Sequence, residues 1–194
     1  MVESDQDKIN KWISRLAEEE NAIVAVAILS DMGTLALDAV LHAYSHPVNR
    51  YMAENAGSAL VGIGKPAVKP LIEMLGNEGQ FSAAWTLGSI GDKDAVMPLI
   101  SLLKKDNKEL RWVVVHSLRV IKDARAIEPL IDRLKDRSSS VRYVAVLGLS
   151  EFGDRRAIAA LEKLKSDRFA GIQLAAAAAI ANIEKREAEL NEVN

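Results

Sequence analysis

Along residues 110–121 apolar side chains fall at 110, 114, 118 and 121, the spacing of one helical face. Polar Lys122 and Asp123 interrupt the pattern, and a second apolar series follows at 126, 127, 130, 131 and 134. The stretch therefore predicts two helices joined by a tight turn. The polar segments "KKDNKE" (104–109) and "KDRSSS" (135–140) bound the pair on either side.

The same pattern recurs. Leu87, Leu118, Leu149 and Ile180 occupy one slot at a period of 31 residues, and Ile90, Ile121, Phe152 and Ile183 occupy the slot three residues on. Asp92 maps onto Asp123 and Asp154, and Ala95 onto Ala126 and Ala157. Pro98 maps onto Pro129 and then Ala160, and Leu99 onto Leu130 and Leu161. Upstream, "LVGIGKPAVKPLIEML" (60–75) fits with a turn one residue shorter, and "LSDMGTLALDAVLHAY" (29–44) fits more loosely. Five copies and part of a sixth cover residues 22 to about 185. A lone helical pair cannot bury its apolar face, so such copies must stack into a continuous core.

Pro98 and Pro129 place the start of the second helix, because a residue without an amide hydrogen is harmless only in the first turn. The second helix should begin three or four residues before the proline. Asp92, Asp123 and Asp154 then sit in the turn, where each carboxylate can accept amides or pair with an Arg of a neighbouring copy. At the amino end, Ile9, Trp12, Ile13 and Leu16 form one apolar stripe on "DKINKWISRLAEEE" (7–20), as a lid over the first full copy requires. The last copy loses Asp and Pro, so residues 172–190 should run on as one closing helix.

The pattern A-x-x-x-L-G-x-I-G-D-x-x-A-V-x-P-L-I, clearest in "AAWTLGSIGDKDAVMPLISLL" (83–103), resembles the short HEAT-like repeat of phycobilisome lyase subunits. The resemblance implies an all-α fold, a right-handed α-solenoid of stacked helical hairpins, as in armadillo-type superhelices. It implies a single domain over 1–194, with a capping helix in 1–20, repeats over 22–171 and a closing helix in 172–194. It says little about activity, because the repeat is a scaffold. Two departures stand out: Lys122 follows Ile121 where other copies have Gly, and Gln80 stands where Arg111 and Arg142 stand later.

Composition narrows the function further. Alanine and leucine dominate, aromatics are 5 % of the chain, and cysteine is absent, so disulfides, thiolate metal sites and cysteine nucleophiles are excluded. The polar, acidic "MVESDQDKIN" does not read as a signal peptide. The longest apolar run, Ala22 to Leu29, is too short to span a bilayer, which needs about 20 residues. A cytoplasmic protein that is a monomer and has no membrane contact is expected. Net charge is −2 but uneven: residues 1–100 carry 7 basic and 13 acidic side chains, and residues 101–170 carry 16 and 10. Such asymmetry marks either an acidic partner for the basic part or a solvated face of mixed sign.

Catalytic motifs are not legible. His42, His46 and His116 are the only histidines, and none belongs to a zinc pair with a carboxylate third. The paired His-Glu iron motifs of deoxyhypusine hydroxylases, which share this architecture, are absent. "GIGKP" (62–66) lacks the spacing of a phosphate loop and reads as the turn between two helices. No cofactor, metal or catalytic residue is expected.

The remaining signal is a stripe opposite the core series on the first helix of each copy. One slot reads Phe81, Trp112, Tyr143, and the slot one turn on reads Trp85, His116, Leu147. Five of these six side chains are aromatic or imidazole, in a chain with nine Phe, Trp and Tyr. The core slots are already filled by Leu, Ile, Val and Ala, so the six should face out as one ladder, which the resemblance places on the inner curve, rimmed by Ser82, Ser89, Glu109 and Glu151. An aromatic floor with a mixed-charge rim suits a protein or peptide partner. The expected function is a non-enzymatic repeat scaffold. A bilin-lyase-like enzyme subunit and a DNA-glycosylase-type nucleic-acid binder are the alternatives; a pI near 6.0 argues against tight phosphate binding in the second.

Overall fold

The computed structural model describes residues 3–77 and 79–192. Residues 1–2 and 193–194, the outer ends of the two expected caps, lie outside the described residues. Every regular element among the described residues is helical. The chain divides into two compact units, Met1–Asp92 and Lys93–Asn194.

The first unit holds α1 (Asp5–Arg15), α2 (Ala22–Met32), α3 (Leu37–Ser45), α4 (Arg50–Ile63), α5 (Lys65–Met74) and α6 (Gln80–Ile90). Ser4 caps α1 by accepting the amide of Asp7, and the helix lays Ile9 and then Leu16, just past its end, on the interior. It ends at Arg15, earlier than the run 7–20 predicts. The carbonyls of Leu16 and Ala17 instead accept the side-chain amides of Asn55 and Asn49, which fix the chain in a turn there. Packing of α2 against α4 is close enough that a Cβ on Gly62 would lie 2.1 Å from Ser30 Oγ. Asn49 caps α4 by accepting the amide of Met52. Leu29, Leu60, Leu71 and Leu87 are fully buried.

The second unit holds α7 (Val96–Leu102), α8 (Lys108–Ile121), α9 (Ile127–Arg133), α10 (Ser139–Phe152), α11 (Ile158–Leu164) and α12 (Ala170–Glu192). Its core repeats with the predicted period: Leu99, Leu130 and Leu161 are fully buried, as are Leu118 and Leu149. The buried set is wider than the four-residue series, since Val113, Val115 and Ser117 on α8 are also enclosed. Neighbours on both sides make this so: α8 packs against α7 and α10.

Pro98 and Pro129 are the third residues of α7 and α9, whose α-helical turns begin two residues earlier. A 3-10 turn precedes each, at Lys93–Ala95 and Ala124–Ala126, and supplies the remaining rise out of the linker. Asp123 caps the second of these turns, and Asp154 caps its equivalent at Arg155–Ala157, accepting the amides of Arg125 and Arg156. Their guanidinium partners are those same Arg side chains two residues on, at 2.8 and 2.9 Å from Nε to Oδ1. Asp92 pairs with a neighbouring copy through a lysine rather than an arginine, Lys65 at 3.8 Å. Local pairing prevails because the turn already holds the two groups side by side. The last copy does run on as one helix, α12, of 23 residues.

The helices have all-α, stacked-hairpin order, the fold class of an α-solenoid. None of the described helices is long and apolar enough to cross a membrane.

Candidate functional site

Backbone geometry fixes the register of the exposed face. Each first helix ends on a residue with positive φ: Gly33, Gly64, Gly91, Lys122 and Gly153. Counting back eight or four residues from each reaches a buried position in every copy. Counting back ten and six reaches the two ladder slots. In the first unit these slots hold Ile23 and Ala27, Glu54 and Ser58, Phe81 and Trp85. In the second they hold Trp112 and His116, Tyr143 and Leu147, and one period on, Leu174 and Ala178.

Phe81, Trp85 and Tyr143 are 46, 45 and 43 % exposed, so three aromatic rings lie half uncovered on positions outside the buried core. Trp112, His116 and Leu147 are partly covered.

In the first unit Phe81 and Trp85 line an open cleft of about 540 Å³ between α4 and α6. Its floor is Tyr44, reaching across from α3 to place its hydroxyl 2.8 Å from Thr86 Oγ1. Gly57 makes room for that ring, since a Cβ there would sit 3.2 Å from Tyr44 Cε2. Burial pushes the Tyr44 phenol up, with hydrogen bonds to Thr86 and Ser82 opposing. The hydroxyls of Ser58, Ser82 and Ser89 and the carboxylate of Glu54 complete the walls.

In the second unit the Trp112 and His116 rings stack on α8 with centroids 5.5 Å apart and planes at 21°. Neighbouring α10 carries Tyr143 and Leu147. One turn on, Arg119 Nη1 donates to Glu151 Oε1 at 2.5 Å and ties the two helices together. Burial and then the Arg119 charge lower the pKa of His116, partly offset by Glu151, so the imidazole is neutral at physiological pH. His42 and His46 stack on each other at 4.8 Å. Among the described residues no group of three or more His, Asp or Glu side chains is placed to hold a metal ion.

The structure therefore brings Phe81 and Trp85 together in the first unit, and Trp112 and His116 together in the second, beside the helix bearing Tyr143 and Leu147. Sequence reasoning misses Tyr44, Glu54 and Ser58 in the cleft and Ile23 and Leu174 in the outer slots. The left-handed residue ending each helix is the signal that finds the ladder positions among them. Open clefts walled by aromatic rings and hydroxyls suit binding.

A family model for HEAT repeats matches residues 77–142 and again 127–191. No curated relative matches the chain. Among solved structures, it is similar to a designed armadillo repeat protein in complex with the peptide (KR)4, at 19 % identity and a TM-score of 0.60, covering 92 % of each chain. A second likeness is to computationally designed armadillo repeat proteins for modular peptide recognition, at 19 % identity and a TM-score of 0.55, covering 90 % of this chain and 99 % of that one. A third is to an engineered protein at 20 % identity and a TM-score of 0.58, covering 95 % of each. At such identities these likenesses speak to the fold.

Proposed function

Because the chain belongs to the HEAT-repeat family, we propose that it is a non-enzymatic scaffold that binds a protein or peptide partner through the exposed ladder face of its first helices. The observation that carries this reading is the half-exposure of Phe81, Trp85 and Tyr143 at positions outside a fully packed core. Trp and Tyr are the residues that dominate binding energy at interfaces. The solved neighbours that bind peptides on the same fold lend support by analogy. The finer kinship with phycobilisome-lyase-type repeats rests on the pattern of residues 83–103 and adds no chemistry to the site.

The test compares wild type with the double variant Trp85→Ala, Trp112→Ala in capturing partners from the native host's lysate. The expected result is loss of the retained partner with unchanged far-UV circular dichroism and melting. Retention of the partner by the variant would sink the proposal. So would unfolding, since truncating core aromatics costs about 3–5 kcal/mol each.

A further inference from the structure

The first ladder slot is apolar or aromatic in five of six copies: Ile23, Phe81, Trp112, Tyr143 and Leu174. The exception is Glu54, and it lines the cleft that holds Phe81 and Trp85. Among the described residues it is the only charged side chain in that lining; the other polar groups are hydroxyls and the Trp85 indole N–H. Resting on the scaffold reading above, we infer that this cleft takes a Lys or Arg side chain of an extended peptide segment. The aliphatic stem lies on Phe81 and Trp85, and the cationic head meets Glu54.

Four observations converge on a basic occupant. Two half-exposed rings, an indole and a phenyl, line the cleft, and aromatic rings attract cations through their quadrupole. Glu54 adds a full negative charge on the facing wall. Its present partner, Arg50 one turn earlier at 3.1 Å, is 81 % exposed, and such a solvated pair is readily exchanged for another cation. Residues 1–92 carry 6 basic and 12 acidic side chains, a field that draws cationic segments and repels acidic ones. The cleft volume falls within the range of about 300–1,000 Å³ usual for side-chain and small-ligand pockets. Ser58, Ser82 and Ser89 can satisfy the amides of a peptide backbone laid along the rim.

The experiment is a fluorescence-anisotropy titration of the full chain with three labelled eight-residue peptides. One alternates Lys or Arg with Ala, the second replaces each basic residue by Gln, and the third replaces it by Glu. The basic peptide should bind wild type, weaken roughly tenfold with Glu54→Gln and more with Glu54→Lys, and be lost with Phe81→Ala, Trp85→Ala. The variant Glu18→Gln, Glu19→Gln, Glu20→Gln removes three exposed charges that do not line the cleft and should bind as wild type does. Equal weakening by that control would assign the effect to net charge and overturn the inference. So would unchanged affinity in both Glu54 variants, or no binding by wild type at roughly 1 mM peptide. If the Gln peptide binds as tightly as the basic one and both need Phe81 and Trp85, the aromatic contact stands and the charge preference falls.

Discussion

The guanidinium of Arg111 lies flat against the carboxylate of Asp136, with Nε 2.7 Å from Oδ2 and Nη2 2.9 Å from Oδ1. Thirty-one residues on, Arg142 and Asp167 repeat the pair at 2.7 and 3.0 Å. Each joins the start of a copy's first helix to the end of its second. The remaining guanidinium nitrogen, Nη1, donates to the carbonyl of Lys105 in one copy and of Asp136 in the next. In the closing copy Gln173 takes the Arg position and its amide donates to the Asp167 carbonyl.

Both side chains of the first pair are at most 5 % exposed, so the charges depend on each other. Arg111→Met removes the bidentate partner of a buried carboxylate, leaving Arg133 Nη1 at 3.6 Å and the Ser138 amide, and should lower unfolding free energy by about 3–5 kcal/mol. Urea denaturation measures this. The double replacement Arg111→Met, Asp136→Leu should recover much of the loss, because no unpaired charge remains; equal loss in the single and double variants would contradict a charge-based clamp.

Lys122 holds φ 56° and ψ 43°, a left-handed conformation, where Gly91 and Gly153 stand in adjacent copies. A side chain in that region costs about 1–2 kcal/mol, offset in part by the chain entropy a glycine loses on folding. Lys122→Gly should therefore stabilise the protein by about 0.5–1 kcal/mol, visible as a higher urea midpoint at unchanged slope.

Gly62 is fixed by contact. A Cβ there meets Ser30 Oγ at 2.1 Å and Ser30 Cβ at 2.5 Å, and Ser30 is too short to swing aside. Gly62→Ala should force α2 from α4 and cost about 1–3 kcal/mol. Adding Ser30→Gly clears both atoms, so a double-mutant cycle should show the pair less damaging than the sum of the singles.

Acid should weaken the fold in one window. The Arg125 side chain, with the Arg125 amide, holds the Asp123 carboxyl at about 2, against an ordinary value of 3.8. Arg156 lowers Asp154 and Arg142 lowers Asp167. Burial pushes Asp136 up, but hydrogen bonds from Arg111 and the Ser138 amide outweigh it and leave the carboxyl low. For each group the folded state releases its proton more readily than the unfolded chain. The stabilisation is complete above the ordinary carboxylate range and is lost as pH falls from about 4 towards 2. Thermal midpoints should be flat above that range in this respect and fall steeply below it. Asp123→Asn, Asp154→Asn should flatten the fall; an unaltered profile would remove these caps as its cause.

Period and core were legible because burial imposes them at every copy: Leu118 and Leu149 have no alternative neighbours to Leu. The local ends were not. The helix of residues 7–20 stops at Arg15 because side-chain amides of Asn49 and Asn55, more than 30 residues away, claim the next carbonyls. Glu54 escaped the ladder for a different reason. The left-handed residues Gly64 and Gly91 are 27 apart, not 31, so subtracting one period from Phe81 lands on Arg50. The missing four residues amount to one helical turn, which preserves the face and hides the slip. Tyr44 meets Thr86 across 42 residues, a pairing no local periodicity contains.

The Arg–Asp clamp also makes length an editable property of this protein. A copy that closes its own hairpin brings along its Asn or Ser cap, its turn aspartate and its left-handed stop. Arg133 then reaches back to the Leu103 carbonyl, and Arg137 to Asp106, from matching places in the preceding linker. Recombination that repeats residues 108–138 in frame would insert a segment that carries its own Arg111–Asp136 clamp, its turn aspartate and its left-handed stop. Gene duplication can lengthen the array here as a bricklayer adds a course, and the first site at which such additions would diverge is the outward slot pair, whose side chains lie outside the buried core.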